Sequence, residues 1–450
     1  FQAYERALRQ LNLLDFDDML VMCYELFRER KDILAAWQRK YPYILIDEFQ
    51  DINRIQYEVV KMMALPHNNL FIVGDDDQSI YRFRGARPEL MLGFPRDYPQ
   101  TKQILLDVNY RSTPQIVDTA RRLIEQNKTR FPKEIRANKK NGRPVITRVW
   151  LDGRQEVEAV CQEIRDYLKA GAAYEEIAVL FRTNQGARLL VEKLMEYAVP
   201  FQIRDNLPNL YEHWIARNLL DYILLARGHL ERSRVLSVIN RPKRYIARDA
   251  LEGEMINWEQ VKSWYQDKDW MVDRIEELED HLRVIRGLAP VAAVNYIRKA
   301  VGYDEFLAAY AKEKKLKPEE YLEIADQVQE SAAGYKNCEA WFKHIVEYKE
   351  QLIEQARERN QKKEGISLMT MHSSKGLEFR IVYLLDANEG VTPHHKAFLD
   401  ADMEEERRMF YVAMTRAKER LHVYYVKERY HKQQEVSRFV REYLEGKQGR

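Results

Sequence analysis

Cysteine is scarce in this chain, and its three cysteines, Cys23, Cys161 and Cys338, lie far apart. An odd number at such spacings fits neither a disulfide framework nor a zinc site, so we expect all three to be reduced. Long apolar runs are missing as well: none approaches the roughly 18 residues of a membrane span, and no charged-then-apolar leader marks a signal peptide. The sequence therefore predicts an ordinary soluble, cytoplasmic protein without a membrane partner.

An excess of charge is also absent, because 73 lysines and arginines nearly balance 71 aspartates and glutamates. A polyanionic partner would have to be held by local basic patches rather than by a field over the whole molecule. The bulk charge therefore neither supports nor excludes binding to nucleic acid.

A third absence concerns phosphate binding. The sequence G-x-x-x-x-G-K-[ST], whose backbone amides and lysine cradle nucleotide phosphates, occurs nowhere in the 450 residues. The chain starts at Phe1 without an initiating methionine, and an amphipathic pattern with Tyr4, Leu8 and Leu11 is already running. We therefore expect that an upstream part carrying the phosphate-binding loop has been removed.

The chain is long enough for two or three hydrophobic cores. Helical and strand patterns alternate in its first 100 residues, which predicts an α/β core. The predicted elements are a helix over 1–39, a strand at Ile44, a helix over 55–64 and a strand at Phe71.

A second α/β core is predicted from residue 101, with strands over 104–106, 145–150 and 177–181 and helices over 115–126, 156–169 and 187–197. Between residues 229 and 365 the strand signals disappear, and charged helical segments broken by proline and glycine predict a helical insertion. Strand signals return over 366–371, 381–385 and 421–426, so we expect a discontinuous second core. The predicted domains are 1–100, 101–228, 229–365 and 366–450.

Two predicted strands of the first core end in polar residues. Asp47 and Glu48 follow the apolar run at Ile44, and Gly74 with three aspartates and Gln78 follows the run at Phe71. Ligands bind in the crevice at the carboxyl ends of parallel strands, and a pair of acids there suits Mg²⁺ and water. On its own, an Asp-Glu pair after a strand is as often a helix cap as a metal site.

Five segments of the chain follow one another in a familiar order. They are Asp-Glu-Phe-Gln at 47–50, the Gln-Ser-Ile-Tyr-Arg-Phe-Arg-Gly-Ala run at 78–86, Asn-Tyr-Arg-Ser at 109–112, and the runs at 370–379 and 405–417. They closely resemble motifs II to VI of the superfamily 1 UvrD/PcrA/Rep DNA helicases. The resemblance implies an α/β fold with RecA-like (P-loop NTPase-type) parallel sheets, one partial and one complete, and an α-helical insertion.

The resemblance also implies ATP and Mg²⁺ as cofactors. Asp47 would hold Mg²⁺ through water, and Glu48 would be the general base for the attacking water. Gln78 would sense the γ-phosphate, while Arg111 and Arg416 would reach it from the second core. The alternatives are a solvated helix N-terminus for the two acids and surface ion pairs for the two arginines.

Two further nucleotide contacts are implied in the same way. Tyr110 resembles the residue that stacks on adenine, and Glu378 resembles the one that contacts the ribose. A tyrosine in the core and a glutamate that caps a helix are the alternatives.

The remaining matched positions would face single-stranded DNA. Tyr81, Phe83 and Arg84 alternate along a loop, where aromatic faces beside a guanidinium suit base stacking without sequence preference. Relatives commonly carry tryptophan at Phe83, and core packing is the alternative for this phenylalanine. The resemblance adds four strand contacts: Arg182, Asn184, Thr370 and His372. For His372 the alternative is a structural role.

The chain departs from the family in its insertion. The family signature Pro-x-Arg-Gly-Ile-Gly is replaced by Pro-Lys-Arg-Tyr-Ile-Ala at 242–247, and Tyr245 and Ala247 have Cβ atoms that hinder close backbone approach to duplex phosphates. The duplex-anchoring role of the insertion therefore does not carry over. At the front, residues 1–22 resemble the end of the 1B region.

The sequence predicts the C-terminal part of an ATP-dependent 3′-to-5′ DNA helicase that acts on single strands and single-strand/duplex junctions. Its insertion is a candidate surface for a protein partner. Without a phosphate-binding loop, this chain should hydrolyse ATP poorly or not at all. A non-hydrolysing module that binds single strands or a partner protein is one alternative, and the helicase segment of an AddA-like helicase-nuclease is another, although the polar tail at 446–450 has no acid cluster.

Overall fold

The computed structural model describes residues 2–205, 207–358, 364–430 and 432–445, so the polar tail at 446–450 lies outside the described residues. The chain forms two compact units. The first consists of the described residues of Phe1–Asp205, Lys363–Arg429 and Gln433–Arg450, and the second of those of Asn206–Lys362 and Tyr430–Lys432.

The helices are α1 Gln2–Leu11, α2 Phe16–Glu29, α3 Lys31–Lys40, α4 Arg54–Ala64, α5 Pro88–Asp97, α6 Pro114–Ile124, α7 Gly153–Lys169, α8 Ala187–Glu196, α9 Trp214–Ala226, α10 Arg232–Val238, α11 Trp258–Trp264, α12 Asp269–Arg286, α13 Pro290–Lys299, α14 Tyr303–Glu313, α15 Pro318–Ala332, α16 Cys338–Glu358, α17 Asp400–Met414 and α18 Arg438–Glu445. The strands are β1 Ile44–Ile46, β2 Leu70–Ile72, β3 Val108–Asn109, β4 Arg136–Ala137, β5 Ile146–Trp150, β6 Ile177–Phe181, β7 Phe201–Ile203, β8 Ile366–Thr370, β9 Phe379–Leu384, β10 Ala417–Val426, β11 Glu428–Arg429 and β12 Lys432–Gln433. No helix in the described ranges has the length and apolar character to cross a membrane.

The centre of the first unit is a six-stranded sheet in the order β5-β10-β9-β6-β8-β7. Every pair of neighbours in it is parallel. All five residues of β6 are buried, as a strand covered on both faces of a parallel sheet requires. The predicted α/β fold with a complete RecA-like sheet is therefore confirmed, and so is the return of the strands after the helical region.

The partial sheet is the parallel pair β1 and β2, in which Ile44 is opposite Leu70 and Ile46 is opposite Ile72. Behind it, Phe49, Tyr57 and Phe94 form a small aromatic core. The ring of Phe49 meets those of Tyr57 and Phe94 edge to face at centroid distances of 5.7 and 5.6 Å. This core fixes the backbone immediately after β1, where the predicted acids lie.

The second unit is built from helices α9 to α16, and its core is rich in aromatic side chains. Trp214 on α9 lies 5.4 Å from Tyr310 on α14 and 5.9 Å from Tyr321 on α15, measured between ring centroids. Helix α9 precedes residue 229, where the sequence predicted the helical region to begin. Buried aromatic and aliphatic residues hold these helices together, in agreement with the predicted helical character.

Two predicted elements differ from the structure. The helix expected over 1–39 is three helices, because Asp15 caps α2 in a reciprocal box with Asp18 and the chain breaks again at Arg30. The strand expected over 104–106 is wrong: these three residues lie outside any strand and are more than half exposed. No described strand pairs with them; the strand begins instead at Val108 and pairs with β4.

Candidate functional site

Asp47 and Glu48 lie in the turn that follows β1, and both side chains are exposed. Glu48 adopts the left-handed backbone conformation with φ of 51°, which is uncommon for a residue other than glycine. Its N–H donates to Asp47 Oδ1 at 2.8 Å, and its carboxylate accepts from Gln50 Nε2 at 2.5 Å. The side chain of Glu48 does not cap the short helix Phe49–Asp51, so it is not engaged as a helix cap.

Gly74 lets the loops after β1 and β2 approach each other. A Cβ atom there would lie 2.5 Å from Gln50 Oε1 and 3.2 Å from the backbone nitrogen of Phe49. Because glycine has no Cβ atom, Gln50 has room to accept from the N–H of Asp75 at 2.9 Å and to donate to Glu48. One buried glutamine therefore connects the acid-bearing turn to the loop that carries Gln78.

Gln78 and Arg416 meet, although 338 positions separate them in the sequence. The Nη2 atom of Arg416 lies 3.4 Å from Gln78 Oε1. The guanidinium is 1% exposed and otherwise donates to Val412 O, Leu377 O and the hydroxyl of Thr415. These acceptors are all neutral, and burial together with the charge of Arg111 lowers the pKa of Arg416 to about 10.

Arg111 and Glu378 form an ion pair with each other. Arg111 Nε donates to Glu378 Oε2 at 2.7 Å, and Lys418 Nζ lies 2.6 Å from the other carboxylate oxygen. The hydrogen bonds from Lys418 and Arg111 lower the pKa of Glu378 to about 2. Tyr110, next to this pair, is 70% exposed, so it is not a core residue.

No role was predicted for Lys375, yet this side chain contacts both the turn after β1 and the loop that carries Gln78. Its ammonium donates to the backbone oxygen of Gln78 at 2.9 Å, lies 3.5 Å from Glu48 Oε2 and forms an ion pair with Asp51. The second carboxylate oxygen of Asp51 is buried and has no hydrogen-bond partner. Lys375 stands inside the segment 370–379 that carried the resemblance, which is the one signal that pointed to it.

These residues fit a nucleotide with Mg²⁺. Arg416 is a buried cation that has no acidic partner within salt-bridge distance in the described ranges, so an anion would complete its contacts. Two exposed carboxylates suit Mg²⁺, which proteins commonly bind through one or two carboxylates plus phosphate and water. The described residues contain no group of three or more histidine, cysteine or acidic side chains that could enclose a metal ion by themselves.

Four of the predicted strand-contacting residues form a single cluster: Tyr81, Phe83, Arg84 and His372. Phe83 is 67% exposed, and its ring lies 6.0 Å from that of Tyr81 and 5.7 Å from that of His372. The Arg84 guanidinium lies 5.2 Å from the centre of the Tyr81 ring and 5.5 Å from that of Phe83. Burial, followed by the charge of Arg182, lowers the pKa of His372 to about 4, so its ring is neutral at pH 7.

The other predicted strand contacts lie at the ends of β6 and β8. Arg182 forms a bidentate pair with Glu406 at 2.5 and 3.0 Å. The backbone N–H of Thr370 donates to Asp205 at 2.5 Å, and its hydroxyl donates to Ser373 at 3.1 Å. Asn184 begins the short helix Asn184–Gly186 directly after β6.

In the helical unit, Tyr245 occupies one of the positions where the family signature has glycine. Its φ of 62° is in the left-handed region that favours glycine. The ring is 57% exposed and lies 4.7 Å from Lys243 Nζ and 5.3 Å from the Arg274 guanidinium. The backbone of Tyr245 therefore keeps a conformation typical of glycine, while its ring occupies space that a glycine would leave empty.

Comparison with protein families gives matches over nearly the whole chain. The UvrD-like helicase C-terminal domain matches residues 104–428, and the UvrD/REP helicase N-terminal domain matches residues 1–99. Because the second match begins at residue 1, it gives no support to the expected N-terminal truncation or to the inactivity inferred from it.

Among curated relatives, the putative ATP-dependent DNA helicase YjcD of Bacillus subtilis is 34% identical over 443 residues, which is 94% of this chain and 56% of the relative. The ATP-dependent DNA helicases PcrA of Staphylococcus epidermidis and Staphylococcus aureus are each 32% identical over 94% of this chain and 60% of their own length. The chain thus spans less than two thirds of the length of these relatives.

Proposed function

The chain belongs to the UvrD-like helicase family, and we propose from this premise that it provides the nucleotide-sensing and strand-contacting surfaces of an ATP-dependent DNA helicase that moves 3′ to 5′. The observation that carries the proposal is the contact between Gln78 and the buried Arg416. A buried guanidinium surrounded by neutral acceptors is costly to keep unless an anion completes its environment.

At the nucleotide site, ATP with Mg²⁺ supplies the phosphoanhydride whose hydrolysis drives movement. Asp47 would hold the metal through water, and Glu48 would take the proton of the attacking water. Gln78 and Arg416 would face the terminal phosphate, where the charge of the arginine and the hydrogen bonds of both side chains would stabilise the transition state.

Three residues complete this proposed site. Glu378 orients Arg111 toward the phosphates through their ion pair and also contacts the ribose, and Tyr110 offers an exposed ring to the adenine.

At the strand site, Tyr81, Phe83 and Arg84 stack on and neutralise single-stranded DNA without reading its sequence. Four neighbouring residues add further contacts: Arg182, Asn184, Thr370 and His372. Single-strand/duplex junctions are the proposed substrate, and the helical unit is the proposed surface for a protein partner. The four predicted domains (1–100, 101–228, 229–365 and 366–450) and the cytoplasmic location also remain proposals.

Hydrolysis is tested with Glu48→Gln, which removes the proposed base while keeping the shape of the side chain and one oxygen that can accept from Gln50. We expect slow ATP turnover by this chain, because the G-x-x-x-x-G-K-[ST] sequence is absent from its 450 residues. An oligo-dT strand should raise it, and the variant should lower it by at least about 100-fold. Binding of a fluorescent ATP analogue should change by less than about threefold.

The matched control is Glu89→Gln, at an exposed glutamate in the first turn of α5. Turnover should be unchanged in this control. Unaltered turnover in Glu48→Gln would remove Glu48 from its proposed role. Oligo-dT binding with no detectable turnover by the parent chain would instead support a non-hydrolysing strand-binding module.

Direction is tested by displacement of a labelled strand from duplexes that carry a 3′ or a 5′ single-stranded tail. We expect displacement from the 3′-tailed duplex, since a 3′-to-5′ motor loads on that tail and then meets the junction. Displacement from the 5′-tailed duplex alone would contradict the proposed polarity.

A further inference from the structure

Three consecutive aspartates follow Gly74, and two cations from the segment between α6 and β4 hold them. Arg130 forms a bidentate pair with Asp77 at 2.9 and 2.7 Å. Lys133 Nζ lies 2.5 Å from Asp75, 2.6 Å from Asp76 and 3.0 Å from Asp77. No role was predicted from the sequence for any of these five residues.

The cluster is deeply buried except at Asp75, whose side chain is 32% exposed. The side chain of Lys133 is 7% exposed, and those of Asp76 and Asp77 are 2% and 1% exposed. Burial lowers the pKa of Lys133, but the three aspartates raise it by more, so the ammonium stays charged. Removing one partner from such a buried set leaves uncompensated charge, which destabilises the fold.

One member of the cluster also contacts Gln78. Asp75 Oδ1 accepts from Lys133, while Oδ2 accepts from the side-chain nitrogen of Gln78 at 2.7 Å. A side-chain amide whose NH₂ group donates to a carboxylate must point its oxygen away from that carboxylate. That oxygen is the atom 3.4 Å from Arg416.

We propose that Lys133 is a positioning residue that orients the Gln78 amide toward Arg416 by fixing Asp75. The inference rests on the proposed role of Gln78 and Arg416 at the nucleotide site. Arg130 anchors the other end of the same loop through Asp77. A residue of the predicted second core thereby orients a side chain of the predicted first core.

The test needs a variant that keeps the charge of the cluster. Lys133→Met alone leaves three buried acids with one cation and is prone to unfold. The double variant Lys133→Met/Asp76→Asn removes one cation and one acid, and asparagine still offers an oxygen to the N–H of Phe131, which donates to Asp76 at 2.8 Å. Its matched control is Asp76→Asn, which retains Lys133 on Asp75.

The first measurement follows the side-chain amide of Gln78 by NMR in a chain labelled with ¹⁵N-glutamine, with Gln78→Glu to assign the signal. Exchange of the Gln78 amide protons with water should be at least about tenfold faster in the double variant than in Asp76→Asn. Lys128→Met, at an exposed lysine of the same segment, should match the parent chain. Equal exchange in the double variant and in Asp76→Asn would overturn the proposal.

The second measurement separates this proposal from the proposed function. If the parent chain turns over ATP, the double variant should lower kcat by about tenfold with KM within about twofold, because only the transition state gains from the oriented amide. Unchanged kcat would overturn the positioning role. A parent chain without turnover would count against the proposed function, while the exchange measurement would still decide the orientation of Gln78.

Discussion

Arg416 is the residue at which burial and charge conflict most clearly. A guanidinium that is 1% exposed has lost its water, and its four acceptors are two backbone oxygens, one hydroxyl and one amide oxygen. Hydrogen bonds to neutral groups offset only part of the cost of burying a full charge. The lowered pKa of about 10 expresses the same imbalance. In the proposed function, the negative charge of a nucleotide phosphate would offset the rest of this cost.

Phe83 gives a prediction about strand binding. Replacing it by alanine removes the most exposed ring of the cluster with Tyr81 and His372, and stacking is worth about 1–3 kcal/mol per base. Affinity for a fluorescent dT oligonucleotide should therefore fall by roughly 5- to 150-fold in an anisotropy titration. The dependence of affinity on salt should stay the same, because no cation is lost.

The control for this variant is Phe16→Ala on α2, where the phenylalanine is 85% exposed and has no proposed strand contact. Equal loss of affinity in both variants would mean that stacking on Phe83 is not the cause. An unchanged affinity in Phe83→Ala would contradict the proposed strand site itself.

The matched segments were enough to single out residues that the fold brings together, such as Gln78 with Arg416 and Phe83 with His372. Their roles stay predictions. Lys375 and Lys133 were missed because an ion pair is a property of the folded chain: Asp51 lies 324 positions from Lys375, and Asp75 lies 58 positions from Lys133. No local pattern marks a lysine whose partner comes from another element.

At the scale of elements, the site depends on how closely the loops after β1 and β2 approach. Gly74 makes that approach possible, so Gly74→Ala should destabilise the first unit by about 1–3 kcal/mol through the clash with Gln50 and the backbone of Phe49. Urea unfolding measures this change. The variant should also weaken the link from Gln50 to Asp75 and lower any ATP turnover.

Gly153→Ala is the matched control in the same unit. A Cβ atom at Gly153 would meet only the Leu189 side chain at 3.4 Å, which is ordinary contact, and the residue begins α7. Its effect on the unfolding midpoint should be neutral or slightly stabilising. A loss of stability equal to that of Gly74→Ala would contradict the explanation by steric clash.

The hydrophobic pattern predicted the element type correctly where the element is buried, as in β6 and β10. It failed at residues 104–106, whose apolar side chains resemble a strand but whose backbone finds no partner strand in the described part of the chain. A strand exists only when a neighbour completes its hydrogen bonds, and a single segment of sequence does not contain that information.

At the scale of the molecule, the main sheet interleaves two distant parts of the chain. Strands β5, β6 and β7 come before the helical unit, and β8, β9 and β10 come after it. In the sheet, no two of the first three are neighbours. Strands β5, β6 and β7 therefore cannot form this sheet without β8, β9 and β10 between them. The prediction of one discontinuous core depended on the strand signals that return after residue 365.

The last prediction concerns the stability of this core in mild acid. His422 on β10 is 2% exposed, and burial, followed by the charges of Arg148 and Arg420, lowers its pKa from 6.5 to about 3. Between these two values the unfolded chain binds a proton that the folded chain does not, so stability is full above pH 6.5 and falls as the pH drops. At pH 5 the loss due to this residue is about 2 kcal/mol.

The buried Glu156 has a raised pKa and acts with the opposite sign, so the parent chain alone does not isolate the histidine. The measurement is the difference between the parent and His422→Gln in urea unfolding at pH 7.5, 6 and 5. Glutamine does not titrate, so the variant should lose less stability than the parent by about 2 kcal/mol between pH 7.5 and 5. Parallel pH profiles of the two proteins would show that His422 takes up its proton in the folded sheet as readily as in the unfolded chain.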